Sequence, residues 1–110
     1  MRLIRHPLVA RDLTGLVDHI IEVTQGSFAA ASRRLDEVDD LIADILANPL
    51  SGARLSAPLD GWLVRHGGRD QRLTVVFRPD RETNIVFVAL VAFGGQDWIA
   101  IGEGRRNWPD

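Results

Sequence analysis

The stretch Asn84-Ile85-Val86-Phe87-Val88-Ala89-Leu90-Val91-Ala92-Phe93 decides the fold. Both of its alternating sets, Ile85/Phe87/Ala89/Val91 and Val86/Val88/Leu90, are apolar, and a strand of that kind belongs in the middle of a sheet with both faces covered. The run is far shorter than the roughly 20 residues that span a bilayer as a helix. Upstream, Gln71 to Arg78 and Gly61 to His66 have the length and β-branched content of strands. They are joined by His66-Gly67-Gly68-Arg69-Asp70 and followed by the turn Pro79-Asp80-Arg81-Glu82, which gives two successive hairpins. Leu3-Ile4-Arg5 offers a further edge strand. On strand alternation, Arg72, Thr74, Val76 and Arg78 share one face, opposite Leu73, Val75 and Phe77.

Ahead of the turn-rich segment Asn48 to Asp60 the period is helical. From Leu8 to Thr24, Val9, Leu13, Leu16, Val17, Ile20 and Ile21 recur at three- and four-residue spacings, with Asp12, Asp18 and Glu22 between them. Pro7 suits the first turn and Gln25-Gly26 the stop. Ser27 can cap a second helix with the inner stripe Phe28, Ala31, Leu35, Val38, Leu41, Ile42, Ile45 and Leu46, ended by Asn48-Pro49. The order strand, helix, helix, meander implies an α+β fold in which a two-helix hairpin packs on a mostly antiparallel sheet of three to four strands.

Composition sets the remaining bounds. A chain of 110 residues, 45% hydrophobic and 25% charged, is an ordinary globular chain, expected as one domain over 1–110 with a poorly ordered C-terminal tail over 99–110. It has no cysteine, hence no disulfide framework, thiolate metal site or thiol nucleophile. The N-terminus lacks an apolar run of signal-peptide length, so a cytoplasmic protein without membrane contact is expected. The net charge of −2 hides an acidic stretch (Asp36, Glu37, Asp39, Asp40, Asp44) and an arginine-rich one (Arg65, Arg69, Arg72, Arg78, Arg81). The Asp36–Asp40–Asp44 row lies on a helix face with no histidine nearby, which describes a solvated face; neither a metal nor a cofactor is expected.

The order and spacing of several pieces resemble the RelE/ParE superfamily of bacterial toxins. These pieces are the helix opening with Asp12-Leu13, Ala47-Asn48-Pro49, Gly52-Ala53-Arg54-Leu55, Gly61-Trp62-Leu63-Val64-Arg65, Gln71-Arg72-Leu73-Thr74-Val75-Val76-Phe77-Arg78 and Val88-Ala89-Leu90-Val91-Ala92-Phe93-Gly94-Gly95. The likeness runs over residues 3 to 98. It implies a compact toxin of a type II toxin–antitoxin module, held inactive by a cognate antitoxin that covers the arginines and the open face of the sheet. RelE-like members cut messenger RNA on the ribosome; ParE-like members poison DNA gyrase.

Metal-free RNA cleavage needs a base for the 2′-hydroxyl, positive charge at the phosphate and an acid for the leaving oxygen. In a RelE-like reading Arg65, Arg72 and His66 are the catalytic candidates; Arg69, Arg78, Gln96 and Trp98 are the candidate binding residues. Five of these also have a plainer reading. Arg72 pairs with Asp70 or a C-terminal carboxylate, Arg65 is a solvated strand residue, His66 flanks a turn, Arg69 is a loop charge, and Trp98 closes an end of the core. RelE-like enzymes place a further Arg after the last strand and a Tyr or His near the C-terminus, whereas this chain reads Phe93-Gly94-Gly95-Gln96-Asp97-Trp98, with no Tyr anywhere and no His after His66. Three readings stand: a ParE-like gyrase inhibitor, towards which the missing groups lean; a RelE-like ribosome-dependent endonuclease; and a non-toxic relative that only binds an antitoxin.

Overall fold

The computed structural model describes residues 1–109. Its elements are β1 (Arg2–Arg5), α1 (Val9–Val23), α2 (Phe28–Ala47), β2 (Ala53–Arg54), β3 (Leu63–Gly67), a 3-10 turn at Arg69–Gln71, β4 (Leu73–Asp80), β5 (Ile85–Phe93) and α3 (Trp98–Glu103). The sheet has five strands in the order β1-β5-β4-β3-β2. All pairs are antiparallel except β1 with β5, which the α1–α2 hairpin separates in sequence. The α+β architecture and the place of β5 inside the sheet match the expectation. The fifth strand is the two-residue β2, too short to register as a period.

The two faces of β5 differ from simple alternation. Val75 pairs with Val91, Val76 with Leu90 and Phe77 with Val88, so Ala89 is the extra residue of a bulge. The bulge shifts the phase. Val86, Val88 and Val91 therefore share the helix-side core with Leu73, Val75, Phe77 and the α1 and α2 residues Leu16, Val38, Leu41 and Ile45. Ala89, Leu90 and Ala92 face the other way, towards Leu59, Trp62, Val64 and Val76. A run with no polar residue carries no mark of such a slip.

The helices form where their stripes predict. Ser27 accepts a hydrogen bond from the Ala30 N–H at 3.1 Å, capping α2. Phe28, however, is 73% exposed: it stands in the first turn of α2, ahead of the point where the helix meets the sheet.

The far face of the sheet is not open. The segment 98–109 is no loose tail; it folds back as α3 with Trp98, Ile101 and Trp108 packed on the second core cluster. Asp97 caps α3 through the Ala100 N–H. Arg105 then closes the segment onto Asp12 of α1, with Nη1–Oδ2 at 2.7 Å and Nη2–Oδ1 at 2.9 Å. Asp12 Oδ2 also accepts the Val91 N–H, and Arg105 Nη1 donates to the Ala89 carbonyl, so one ion pair joins α1, β5 and the C-terminal segment. Trp108 meets Phe87 edge-on at 5.6 Å and His6 at 5.0 Å, and lies nearly parallel to Trp62.

Candidate functional site

The structure sets Arg72 apart from Arg65 and His66, which line one recess with Glu37, Asp40 and Asp44. Arg65 and His66 are neighbours on β3, and neighbours on a strand point to opposite faces. Arg65 takes the helix side and donates to Ser51 Oγ at 2.7 Å. His66 takes the α3 side, where Nδ1 shares a hydrogen bond with Thr74 Oγ1 at 2.9 Å and the ring meets Trp98 edge-on at 5.9 Å. Arg72 is not on a strand at all. The left-handed residues Asp70 and Gln71 form the turn before it, and Arg72 ends that turn in a helical conformation, its N–H donating to the Arg69 carbonyl. The alternation that would group Arg72 with Thr74 and Val76 therefore does not reach it.

Arg72 instead lines a groove of about 260 Å³ on the helix side. The second half of α1 supplies Leu16, His19, Ile20 and Val23; α2 supplies Ala30, Arg33, Arg34 and Glu37; the 3-10 turn and the strand ends close it with Arg69, Asp70, Arg72, Leu73, Phe93 and Gly94. The floor is apolar, with His19 tilted against Phe93 at 5.1 Å between ring centres. The rim is basic. Arg34 Nε and Glu37 Oε2 lie 3.1 Å apart, close as charges without hydrogen-bond alignment, and Arg69 meets Asp70 at 4.0 Å. Arg33 and Arg72 have no ion pair among the described residues. The two arginine groups of the rim are far apart in sequence, and Arg33 and Arg34 read only as the outer face of a helix, so no local pattern announced the groove.

The remaining candidates fall elsewhere. Arg78 lies over the Trp62 ring at 4.7 Å and near Phe87, beside Arg106 in a polar recess. There it screens an aromatic edge of the second core. Gln96 accepts the Phe93 N–H and so shapes the turn after β5. Trp98 is half-buried, filling the end of the core while one edge stays near His66. Among the described residues no cluster of His, Asp and Glu is arranged to hold a metal ion, and the acidic row of α2 runs along an exposed face.

His6, outside the candidate set, has a local structural role. The Leu8 N–H donates to its Nδ1 at 3.0 Å, which requires that nitrogen to be unprotonated. Partial burial, with the nearby Arg105 charge, holds its pKa below the ordinary value of 6.5, against a smaller opposing pull from Asp12.

No family model and no curated protein sequence matches the chain. Among solved structures it is similar to a chain of the toxin–antitoxin complex RelBE2 from Mycobacterium tuberculosis, with a TM-score of 0.58 and 20% identity over 84% of this chain and 96% of that one. The likeness is one of fold: the helical hairpin on a mostly antiparallel sheet is the RelE-type architecture that the sequence resemblance implied. No helix among the described residues is long and apolar enough to cross a membrane.

Proposed function

We propose that the chain is the toxin of a type II toxin–antitoxin module, a cytoplasmic growth inhibitor neutralised by a cognate antitoxin, and that it acts by binding a target, in the manner of ParE-like gyrase inhibitors. The module rests on the RelE-type fold together with the sequence resemblance. The mechanism rests on one observation, the separation of Arg72 from Arg65 and His66. A transesterification at a single phosphate needs base, acid and charge stabiliser within a few ångströms of the same group. Here Arg65 and His66, though they leave β3 on opposite faces, line one recess with Glu37, Asp40 and Asp44, while Arg72 stands at the rim of the separate helix-side groove. The absence of a tyrosine and of any histidine after His66 points the same way.

One observation favours the RelE-like alternative. His66 is exposed, its Nδ1 is held by Thr74, and its ring meets Trp98 edge-on, an arrangement that suits proton transfer beside a stacked base. The purified protein separates the two. Inhibition of supercoiling by DNA gyrase, retained in His66→Ala, supports the binding mechanism. Intact supercoiling, with ribosome-dependent RNA cleavage that His66→Ala abolishes, overturns it.

A further inference from the structure

On the sheet face opposite the groove, at the end where β4 turns into β5, lies a recess that the toxin reading leaves unused. Its walls are Pro58, Asp60, Trp62, Arg78, Arg106 and Asn107. Its volume of about 350 Å³ falls within the roughly 300–1,000 Å³ of pockets that hold small molecules. Most such pockets are apolar. This one is lined by two guanidiniums, a carboxylate and an amide, so it suits a polar ligand.

The recess is built on fixed parts of the fold. Trp62 is 2% exposed, and its N–H donates to the Leu59 carbonyl at 3.0 Å, which closes the turn carrying Asp60. Arg78 pairs with Phe87 across the sheet, and its guanidinium lies 4.7 Å from the centre of the Trp62 ring. Arg106 and Asn107 follow Arg105, whose ion pair with Asp12 anchors the C-terminal segment, and the Trp108 N–H donates to the Arg105 carbonyl at 3.1 Å. Little ordering is left for a ligand to impose, which favours affinity.

The charges of the recess are not satisfied from within. Among the described residues Arg78 makes no ion pair, and Asp60 reaches neither guanidinium within ion-pair distance. Arg106 has only an exposed contact with Glu103 at 3.3 Å, of a kind worth little. Two cations and a carboxylate held apart in one recess suit a ligand with an anionic end and a donor end. Arg78 rises from the sheet while Arg106 and Asn107 come from the C-terminal segment, so the donors approach from two walls. A carboxylate takes guanidinium forks in its own plane, whereas the oxygens of a phosphate point in different directions. Asp60, an acceptor only when ionised, suits hydroxyl groups. A nucleic-acid backbone fits less well, because it needs a track of cations and Asp60 would stand against it.

We infer that this recess binds a small phosphorylated sugar, with the phosphate on Arg78, Arg106 and the Asn107 amide and the sugar hydroxyls on Asp60. The inference rests on the recess alone and is independent of the toxin–antitoxin reading.

The test titrates the full chain with ribose 5-phosphate, ribose and inorganic phosphate at fixed ionic strength. Binding is read by calorimetry and by tryptophan fluorescence, since Trp62 lines the recess and Trp108 lies nearly parallel to it. Ribose 5-phosphate should saturate one site below about 10 mM and bind at least about tenfold more tightly than ribose. Arg78→Gln should weaken it about 10–100-fold, as expected for the loss of a charged hydrogen-bond donor. In Asp60→Ala the preference for ribose 5-phosphate over inorganic phosphate should fall at least about threefold, a ratio in which the change of charge cancels. Arg11→Gln, the same charge change on an exposed position of α1, should alter affinity less than about twofold. Thermal melts verify folding. Should Arg78→Gln melt early through loss of its contact with Trp62, Arg106→Gln replaces it, with a loss of at least about threefold expected.

No saturation by ribose 5-phosphate up to about 10 mM, or parent-like affinity in the folded arginine variants, would overturn the inference. So would ribose or inorganic phosphate binding as tightly as ribose 5-phosphate, or a single-stranded oligonucleotide that binds through Arg78 while ribose 5-phosphate does not.

Discussion

Replacing Asp12 by alanine should be among the most damaging single changes in this chain, although Asp12 lies in the first turn of a surface helix. Its carboxylate receives two Arg105 hydrogen bonds and the Val91 N–H, and both side chains of the pair are only about a tenth exposed (11% and 10%). Removing one member of a buried pair typically costs about 3–5 kcal/mol, because the other charge stays desolvated. In Asp12→Ala the Arg105 guanidinium keeps only the Ala89 carbonyl, and the Val91 N–H loses its acceptor. We expect a loss of about 4 kcal/mol against a total of about 5–15 kcal/mol for a domain of this size. At a urea slope of about 2 kcal/mol/M the midpoint falls by about 2 M. Asp12→Asn/Arg105→Met, which removes both charges, should be less harmful than Asp12→Ala. The assay is urea unfolding followed by far-ultraviolet circular dichroism and by fluorescence. All three tryptophans, Trp62, Trp98 and Trp108, belong to the face that the ion pair closes, so their signal should change ahead of the helical one in Asp12→Ala. A loss below about 1 kcal/mol, the level of an exposed pair, would refute the reasoning.

Other expectations follow from single contacts. Phe28→Ser should change stability by less than about 0.5 kcal/mol, since Phe28 is largely exposed; a loss of 2 kcal/mol or more on denaturation, roughly the value of a core aromatic, would place it back in the stripe. Gly52→Ala should cost about 1–3 kcal/mol, because the new methyl would stand 2.8 Å from Cζ of the fully buried Phe77 and 3.0 Å from Leu63; a thermal melt identical to the parent's would contradict that crowding. His6 binds its proton less readily folded than unfolded, so stability is full above the ordinary value of 6.5 and declines as the pH falls from there through the lower folded value. Comparing unfolding at pH 8 and pH 5, His6→Gln should show a smaller acid loss than the parent, and an equal loss would remove His6 as the cause.

Much of the fold was legible because it rests on periodic patterns. The stripes of α1 and α2 and the doubly apolar β5 are burial patterns, and burial is what positions them. Where one residue mattered, period gave no guide. Phe28 fits the α2 stripe by spacing yet stands a turn before the helix meets the sheet. Ala89 forms a bulge inside a run whose every residue is apolar. The C-terminal segment is anchored by Arg105 to a carboxylate 93 positions earlier, a pairing that no local window contains. The candidate site was harder still. Arg72 reads as a strand residue because Leu73 to Arg78 is one, but the left-handed turn at Asp70 and Gln71 places it on the groove rim with Arg33. Charge composition identified the arginines, and only the tertiary fold sorts them into groove, edge and recess.

The proposed function is growth arrest through a target in DNA metabolism, relieved by a cognate antitoxin. The most direct measurement is pulse-labelling of DNA and protein synthesis in a bacterial host during the first minutes after induction, with and without co-expression of the antitoxin. DNA synthesis falling first, with messenger RNA intact and both rates restored by the co-expressed partner, is the predicted result. Protein synthesis stopping first, with cleaved messenger RNA, would contradict it.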